Sequence, residues 1–230
     1  MMTLPKPYYD HGGITIYHGD CREILPHLGR FDMLLTDPPY GVCLGEQCGR
    51  GDGHGLSIAG YASYDDTYEN FVSTIVPALG LAIDKCTRAA VFTGPHIHEQ
   101  RKPSAIGGIF CRTAKGRTPW GFKNLLPVLF YGQAPDLNLG SYPTVICSDA
   151  HAERSDNGHP CPKPLVWMTW LMQRGSRQGE NVLDPFMGSG TTLVAAKNNG
   201  RRAVGIEIEK RYCAEAVLRL RQEVMFGVTQ

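Results

Sequence analysis

The run Val182-Leu183-Asp184-Pro185-Phe186-Met187-Gly188-Ser189-Gly190-Thr191-Thr192 constrains the fold more than any other stretch of this chain. It begins as a strand former, passes through a turn with two glycines and re-emerges as a helix. Glycine there lets the backbone approach a ligand closely, and the helix start presents N–H groups that the helix itself leaves unpaired. Glu207 follows Gly188 by nineteen residues and closes the next apolar run, a place from which a carboxylate can accept hydrogen bonds from both hydroxyls of a ribose. Strand, turn, helix and acid-tipped strand form a βαβ unit suited to a ligand that contains a nucleoside. Asp184, Phe186, Gly188, Ser189, Gly190, Thr191, Glu207 and Ile208 are its candidate contacts. Thr191 stands where a nucleotide-hydrolysing loop needs lysine, and Leu193 stands where a dinucleotide fingerprint needs its third glycine, so both of those readings are disfavoured.

Short apolar runs elsewhere predict further strands at 14–18, 31–36, 89–93, 125–131, 181–183 and 202–208. Helical spacing predicts helices at 164–174, with proline in its first turn, at 191–199, closed by Gly200, and at 209–223. Alternating strands and helices imply an α/β fold with a mostly parallel sheet. Seven glycines between 41 and 60 predict a glycine-rich loop, and the polar, proline-punctuated stretch 132–160 predicts a second one. With 230 residues, 42% of them hydrophobic, the whole chain 1–230 is expected to form one domain. No apolar run approaches the ~20 residues that span a bilayer, and no signal core opens the sequence, so a cytoplasmic protein with no membrane partner is expected. Its eight cysteines are then expected as reduced thiols rather than a disulfide framework.

A second motif adds chemistry. In Phe31-Asp32-Met33-Leu34-Leu35-Thr36-Asp37-Pro38-Pro39-Tyr40-Gly41, Asp37 falls at the carboxyl end of a buried strand, where open α/β sheets bind ligands. Pro38 and Pro39 fix φ and stiffen the exit from the sheet. The Asp37 carboxylate and the Pro38 carbonyl can then aim two acceptors at one point beside the Tyr40 ring. This arrangement suits an amino group on an aromatic base. Its lone pair is delocalised into the ring, and accepting its protons favours a pyramidal, nucleophilic nitrogen. Tyr40 would stack on a base rotated out of a duplex.

Together the two motifs resemble the DNA amino-methyltransferases that act on adenine N6 or cytosine N4, in the permuted order with Asp-Pro-Pro-Tyr ahead of the glycine turn. The likeness runs from about residue 14 to residue 220. It implies a Rossmann-like S-adenosylmethionine-dependent methyltransferase fold, circularly permuted, whose sheet has one antiparallel strand supplied by 125–131. It implies DNA as partner and S-adenosylmethionine as cofactor. It also implies catalytic roles for Asp37, Pro38, Pro39 and Tyr40, with Asp37 touching the cofactor too. Asp20 and Cys21, in Gly19-Asp20-Cys21, look like the family's contact to the cofactor adenine. Lys163, in His159-Pro160-Cys161-Pro162-Lys163-Pro164, looks like the element at the methionine end, with Cys161-Pro162 replacing the usual threonine-glutamine. Aspartate as the first letter of Asp-Pro-Pro-Tyr is commoner in the adenine branch, so adenine is expected over cytosine. RNA, a protein glutamine and a non-catalytic regulator that binds the cofactor stay open as alternatives. Asparagine in place of Asp37 would be usual for the glutamine enzymes, and a mere binding protein has no use for Asp37 to Tyr40.

The formal net charge is +1, so any nucleic-acid surface must be local. One candidate is present: no acidic residue lies between Glu99 and Asp136, while Arg112, Lys115, Arg117 and Lys123 do. Segment 132–160 is the candidate for target recognition, and its shortness leaves room for a second subunit, a homodimer, to complete the site. No metal is expected. The loose groups Cys43, Cys48, His54 and Cys147, His151, His159, Cys161 lack the paired spacing of zinc ligands.

Overall fold

The computed structural model describes residues 4–42, 65–113, 117–118, 120–135, 143–150 and 162–222. In chain order its elements are β1 (Tyr9–His11), β2 (Ile14–His18), α1 (Cys21–Ile24), β3 (Phe31–Thr36), α2 (Tyr68–Asn70) and α3 (Val76–Asp84). A π-helical turn, Phe71–Ile75, joins α2 to α3. There follow β4 (Cys86–Phe92), β5 (Ala105–Phe110), β6 (Arg117–Thr118), β7 (Gly121–Phe122), β8 (Leu125–Tyr131) and β9 (Val145–Cys147). The chain then forms α4 (Leu165–Gly175), β10 (Asn181–Asp184), α5 (Thr191–Asn198), β11 (Arg202–Glu207) and α6 (Lys210–Arg221).

Nine strands form one sheet in the order β1-β2-β11-β10-β3-β4-β8-β5-β9, and β6 and β7 form a separate hairpin. Every predicted strand and helix is present, within a few residues of its expected limits. The sheet departs from expectation in one respect. Strand β8 runs antiparallel to both neighbours as anticipated, but β1 is a second reversed strand, hairpinned onto β2 at the edge. Both faces are covered, which explains why the strands read as continuous apolar runs. On β3, Met33 and Leu35 point into one core layer with Trp167, Met168 and Leu171 of α4 and Leu193 of α5. Leu34 points into the other, with Ile24, Phe71, Ile75 and Leu79.

Strands β5 and β9 and the α2–α3 helix were not legible in the sequence. Gly107 and Gly108 lower the β-propensity of β5, yet a Cβ at Gly107 would meet the Thr144 carbonyl oxygen at 2.0 Å, so glycine is what lets the lead into β9 lie alongside. Stretch 132–160 is accordingly no continuous loop, since it contributes β9. Most of stretch 41–60 lies outside the described residues.

Gly190 shows why the turn before α5 needs glycine. It caps α5 in the left-handed region at φ +81°, and a Cβ there would stand 2.6 Å from the Ala216 Cβ on α6. Gly190→Ala is therefore expected to cost about 2 to 4 kcal/mol, from backbone strain and overpacking together. Thermal melts should show a fall of roughly 5 to 15 °C for a chain of this size. An unchanged melting temperature would mean that α6 yields at no cost.

Candidate active site

Strands β2, β3, β4, β10 and β11 are parallel, so their carboxyl ends share one end of the sheet. Gly19-Asp20, Asp37, Asp184 and Glu207 all leave from that end. They border a cleft of about 360 Å³, within the range of sites for small molecules. The sequence-predicted Asp20, Cys21, Asp37, Pro39, Lys163, Asp184, Phe186, Gly188, Ser189, Thr191, Glu207 and Ile208 all line it. Pro38, Tyr40 and Gly190 do not. Pro38 is buried behind the motif, Tyr40 packs across Gly94, and Gly190 faces α6. The α2–α3 helix adds Asn70, Thr74, Ile75 and Ala78, which no motif had marked.

The acidic side chains do different work. Asp184 is buried and accepts from the Thr36 hydroxyl at 2.6 Å and the Phe186 N–H at 3.1 Å, which ties β3 to the start of the glycine turn. Burial pushes its carboxyl up to about 6, against the opposing pull of the Thr192 and Thr36 hydroxyls. Glu207 is half-buried at the base of the cleft. One of its oxygens accepts from the Gly188 N–H at 2.9 Å and the other from the Glu209 N–H at 2.8 Å. Its carboxyl is pushed up to about 7, chiefly by burial. Each oxygen keeps a lone pair for a hydroxyl of a ligand. Asp20 caps α1 through the Arg22 N–H at 2.8 Å, and the Arg22 guanidinium beside it holds its carboxyl below the usual range. Burial drives the Cys21 thiol up to about 12, so that wall is apolar and unreactive. Phe186 and the exposed Ile208 add apolar surface for a flat ring.

Asp37 sits between two donors. The Tyr40 hydroxyl donates to its Oδ1, and the Lys163 ammonium donates to its Oδ2. Lys163 is only 8% exposed and lies 5.4 Å from the Phe92 ring centroid and 5.7 Å from that of Tyr40. It stands where the cofactor cleft meets the Asp-Pro-Pro-Tyr motif, rather than apart from it. Beyond the motif, the buried Asp66 accepts from the Gly41 N–H at 2.8 Å and the Val42 N–H at 3.4 Å. That anchor fixes the exit of the Asp37 turn. Sequence reasoning missed Asp66 because it lies 25 residues away and carries no motif.

Comparison with known proteins bears on this geometry. A profile of the N6/N4 family, described as DNA methylase, matches residues 120–218. The Type II methyltransferase M.ScaI of Streptomyces caespitosus is 27% identical over 266 residues, covering 96% of this chain and 86% of that protein. M2.DpnII of Streptococcus pneumoniae, also a Type II methyltransferase, is 25% identical and covers 96% of this chain and 95% of that protein. The chain is thus similar to DNA methyltransferases of the N6/N4 group over nearly its whole length. Among solved structures, the cytosine-N4-specific PvuII DNA methyltransferase superposes with TM-score 0.68 at 14% identity, over 96% of this chain and 91% of that one. M1.HpyAVI in complex with SAM superposes with TM-score 0.63 at 21% identity, over 91% and 100%. These likenesses establish the α/β fold with its mostly parallel sheet. No helix among the described residues is long and apolar enough to cross a membrane.

Of the four basic residues, neither Arg112 nor Lys123 lines the cleft. Arg112 is exposed and pairs with Asp149 at 2.7 Å, Lys123 is half-buried, and Lys115 and the Arg117 side chain lie outside the described residues. Of the two cysteine and histidine groups only Cys147 is described.

Proposed function

We propose that this methyltransferase moves a methyl group from S-adenosylmethionine to the exocyclic N6 amino group of adenine in DNA. The observation that carries the reading is that Asp37, Glu207 and the glycine turn open into one cleft at one end of the sheet. S-adenosylmethionine is the cofactor, and when bound it supplies an electrophilic methyl on a sulfonium. Residues present fit it: Glu207 has acceptor capacity for the ribose, Phe186, Ile208 and Cys21 offer apolar surface for the adenine, and Gly188 allows close approach. Lys163 is the cation at the boundary with the acceptor site.

Asp37 acts on the nucleophile. Its two oxygens accept from Tyr40 and Lys163, which fixes the direction of the carboxylate and leaves lone pairs for the protons of an amino group. Holding those protons turns the nitrogen lone pair toward the methyl, and preorganisation of the acceptor means that no solvent must rearrange as charge develops. The nitrogen gains the methyl and gives up one proton, which Asp37 holds by hydrogen bond until water takes it. Asp37 as the first letter of the motif supports adenine over cytosine.

Nucleoside analysis of DNA and RNA from cells expressing the protein tests this directly. N6-methyladenine in DNA is expected. N4-methylcytosine would move the reading to the other branch, a methylated base confined to RNA would change the polymer, and no methylated base would favour a binding role. Charge reversal at Lys115 and Arg117 is expected to weaken duplex binding and to flatten its salt dependence, the slope falling by about one for each phosphate no longer neutralised. Cofactor affinity should stay constant. An unchanged slope would return these residues to an ordinary solvated surface.

A further inference from the structure

The β6–β7 hairpin carries an observation that the cleft does not explain. Because β8 opposes β4, with Phe92 paired to Val128, its first residue Leu125 lies at the end of the sheet from which Asp37 departs. Phe110 pairs with Leu125, so the chain leaves β5 at Cys111 and enters β8 from Asn124 at that same end. Its base is stitched. The Cys111 N–H donates to the Asn124 carbonyl at 2.7 Å, and the Asn124 amide donates back to the Cys111 carbonyl at 2.8 Å and to that of Arg112 at 3.3 Å. Above the base, Arg117 pairs with Phe122 and Thr118 with Gly121. On this hairpin Trp120 is 99% exposed and Phe122 is 66% exposed.

Scattered exposed apolar residues are ordinary on any surface. Two aromatics on one anchored hairpin, inside a segment without acidic residues and on the catalytic end of the sheet, are a more specific arrangement. Flat aromatic rings stack on nucleobases of any sequence, and surrounding positive charge draws the phosphates in. Strand β5 lies three strands from β3, about 14 Å across the sheet, close to the ~12 Å width of a major groove. We propose that Trp120 is a stacking wedge: the hairpin enters the duplex beside the target, and the indole ring stacks on the bases left exposed when the target base turns out toward Asp37. This rests on the reading of the protein as a DNA-base methyltransferase, and it assigns to the hairpin the opening of the duplex. A base cannot reach an acceptor site such as Asp37 while it remains stacked.

Two measurements on the full chain separate the wedge from the reading beneath it. The first needs no methylation. A mixed-sequence 20-nucleotide single strand of DNA should quench the tryptophan emission of the parent protein and leave that of Trp120→Phe nearly unchanged, because Trp167 is buried in the core and Trp170 packs half-buried against it on α4. The second uses a duplex with the methylated site and the same duplex with the target base left unpaired. Trp120→Ala should slow single-turnover methylation of the paired duplex about 10- to 100-fold. On the unpaired duplex it should stay within a few-fold of the parent, and Trp120→Phe should recover much of the loss. Equal slowing on both duplexes, or unquenched emission with DNA bound, would overturn the wedge. So would a dimer that dissociates in Trp120→Ala while quenching is absent, since the surface would then belong to a second copy of the chain. Quenching in a protein that methylates no DNA would uphold base stacking by Trp120 while refuting the activity and with it the wedge, whereas methylation without quenching would uphold the activity and refute the wedge alone.

Discussion

Asp37→Ala is expected to reduce single-turnover methyl transfer about 100-fold to 1000-fold at saturating cofactor. The loss corresponds to roughly 3 to 4 kcal/mol of transition-state stabilisation, the scale of one preorganised acceptor in a closed site. Without that carboxylate the amino nitrogen keeps its lone pair in the ring. The ion pair with Lys163 adds a second expected effect, on stability. An ammonium 8% exposed loses its carboxylate, and taking the counter-ion from a largely buried charge is costly. Asp37→Ala should therefore also melt lower than the parent, by an amount corresponding to about 2 kcal/mol. Adding Lys163→Met removes that buried charge, so the double variant should regain stability without regaining activity. Asp37→Asn keeps one acceptor oxygen and loses the charge, and should retain a trace of activity at best. Single-turnover rates, cofactor affinity and melting temperature for the four proteins check this together. Near-normal transfer by Asp37→Ala would remove the acceptor site from this motif. Recovery of transfer in the double variant would mean that the first loss came from misfolding alone.

The fold and the site were legible in the sequence to different depths. Strands flanking the cleft declared themselves because their central residues are buried on both faces, so 31–36, 181–183 and 202–208 read as mainly apolar runs with an acid at or beside their ends. The turn at 188–190 declared itself through two glycines at fixed distance from Glu207. Strand β5 was hidden because Gly107 and Gly108, which its neighbours require, are poor strand formers when read alone. Strand β1 is three residues long and depends on pairing with β2. The helix from Tyr68 starts with an N-cap, Thr67, but runs through a π-turn that breaks the 3.6-residue spacing. That helix supplies one wall of the cleft. Motif reading saw the strand ends and missed the wall residues Asn70, Thr74 and Ile75 for this reason. The partners of Asp37 were legible only in part. Tyr40 and Lys163 were both marked, but nothing in their spacing shows that both donors meet on one carboxylate.

Glu207 supplies the other large expected effect, and its sign follows from its surroundings. Burial places its carboxyl at about 7 in the folded protein against 4.5 ordinarily. The folded state thus holds the proton more tightly than the unfolded chain does. The stability this confers is fully present below about 4.5 and is lost as pH rises through 7. Cofactor binding runs the other way. Ribose hydroxyls donate to the ionised carboxylate, so affinity should rise with pH by up to tenfold per unit below 7, flatten above it, and release up to one proton near pH 6. Calorimetry at pH 6 in two buffers of different ionisation enthalpy measures that proton. Glu207→Ala should weaken binding about 30- to 1000-fold, from about 2 to 4 kcal/mol of charge-assisted hydrogen bonding, and should abolish the pH slope. Glu207→Gln keeps one acceptor oxygen, so it should bind more tightly than Glu207→Ala and show the same flat profile. The Gly188 and Glu209 N–H groups also use this carboxylate, so melting curves must accompany the titrations. A variant that stays folded, binds S-adenosylmethionine as the parent does and keeps the parent's pH slope would place the ribose away from Glu207. Affinity that fell as pH rose through 7 would require the protonated acid to be the binding form, with Glu207 donating to the ligand rather than accepting from it.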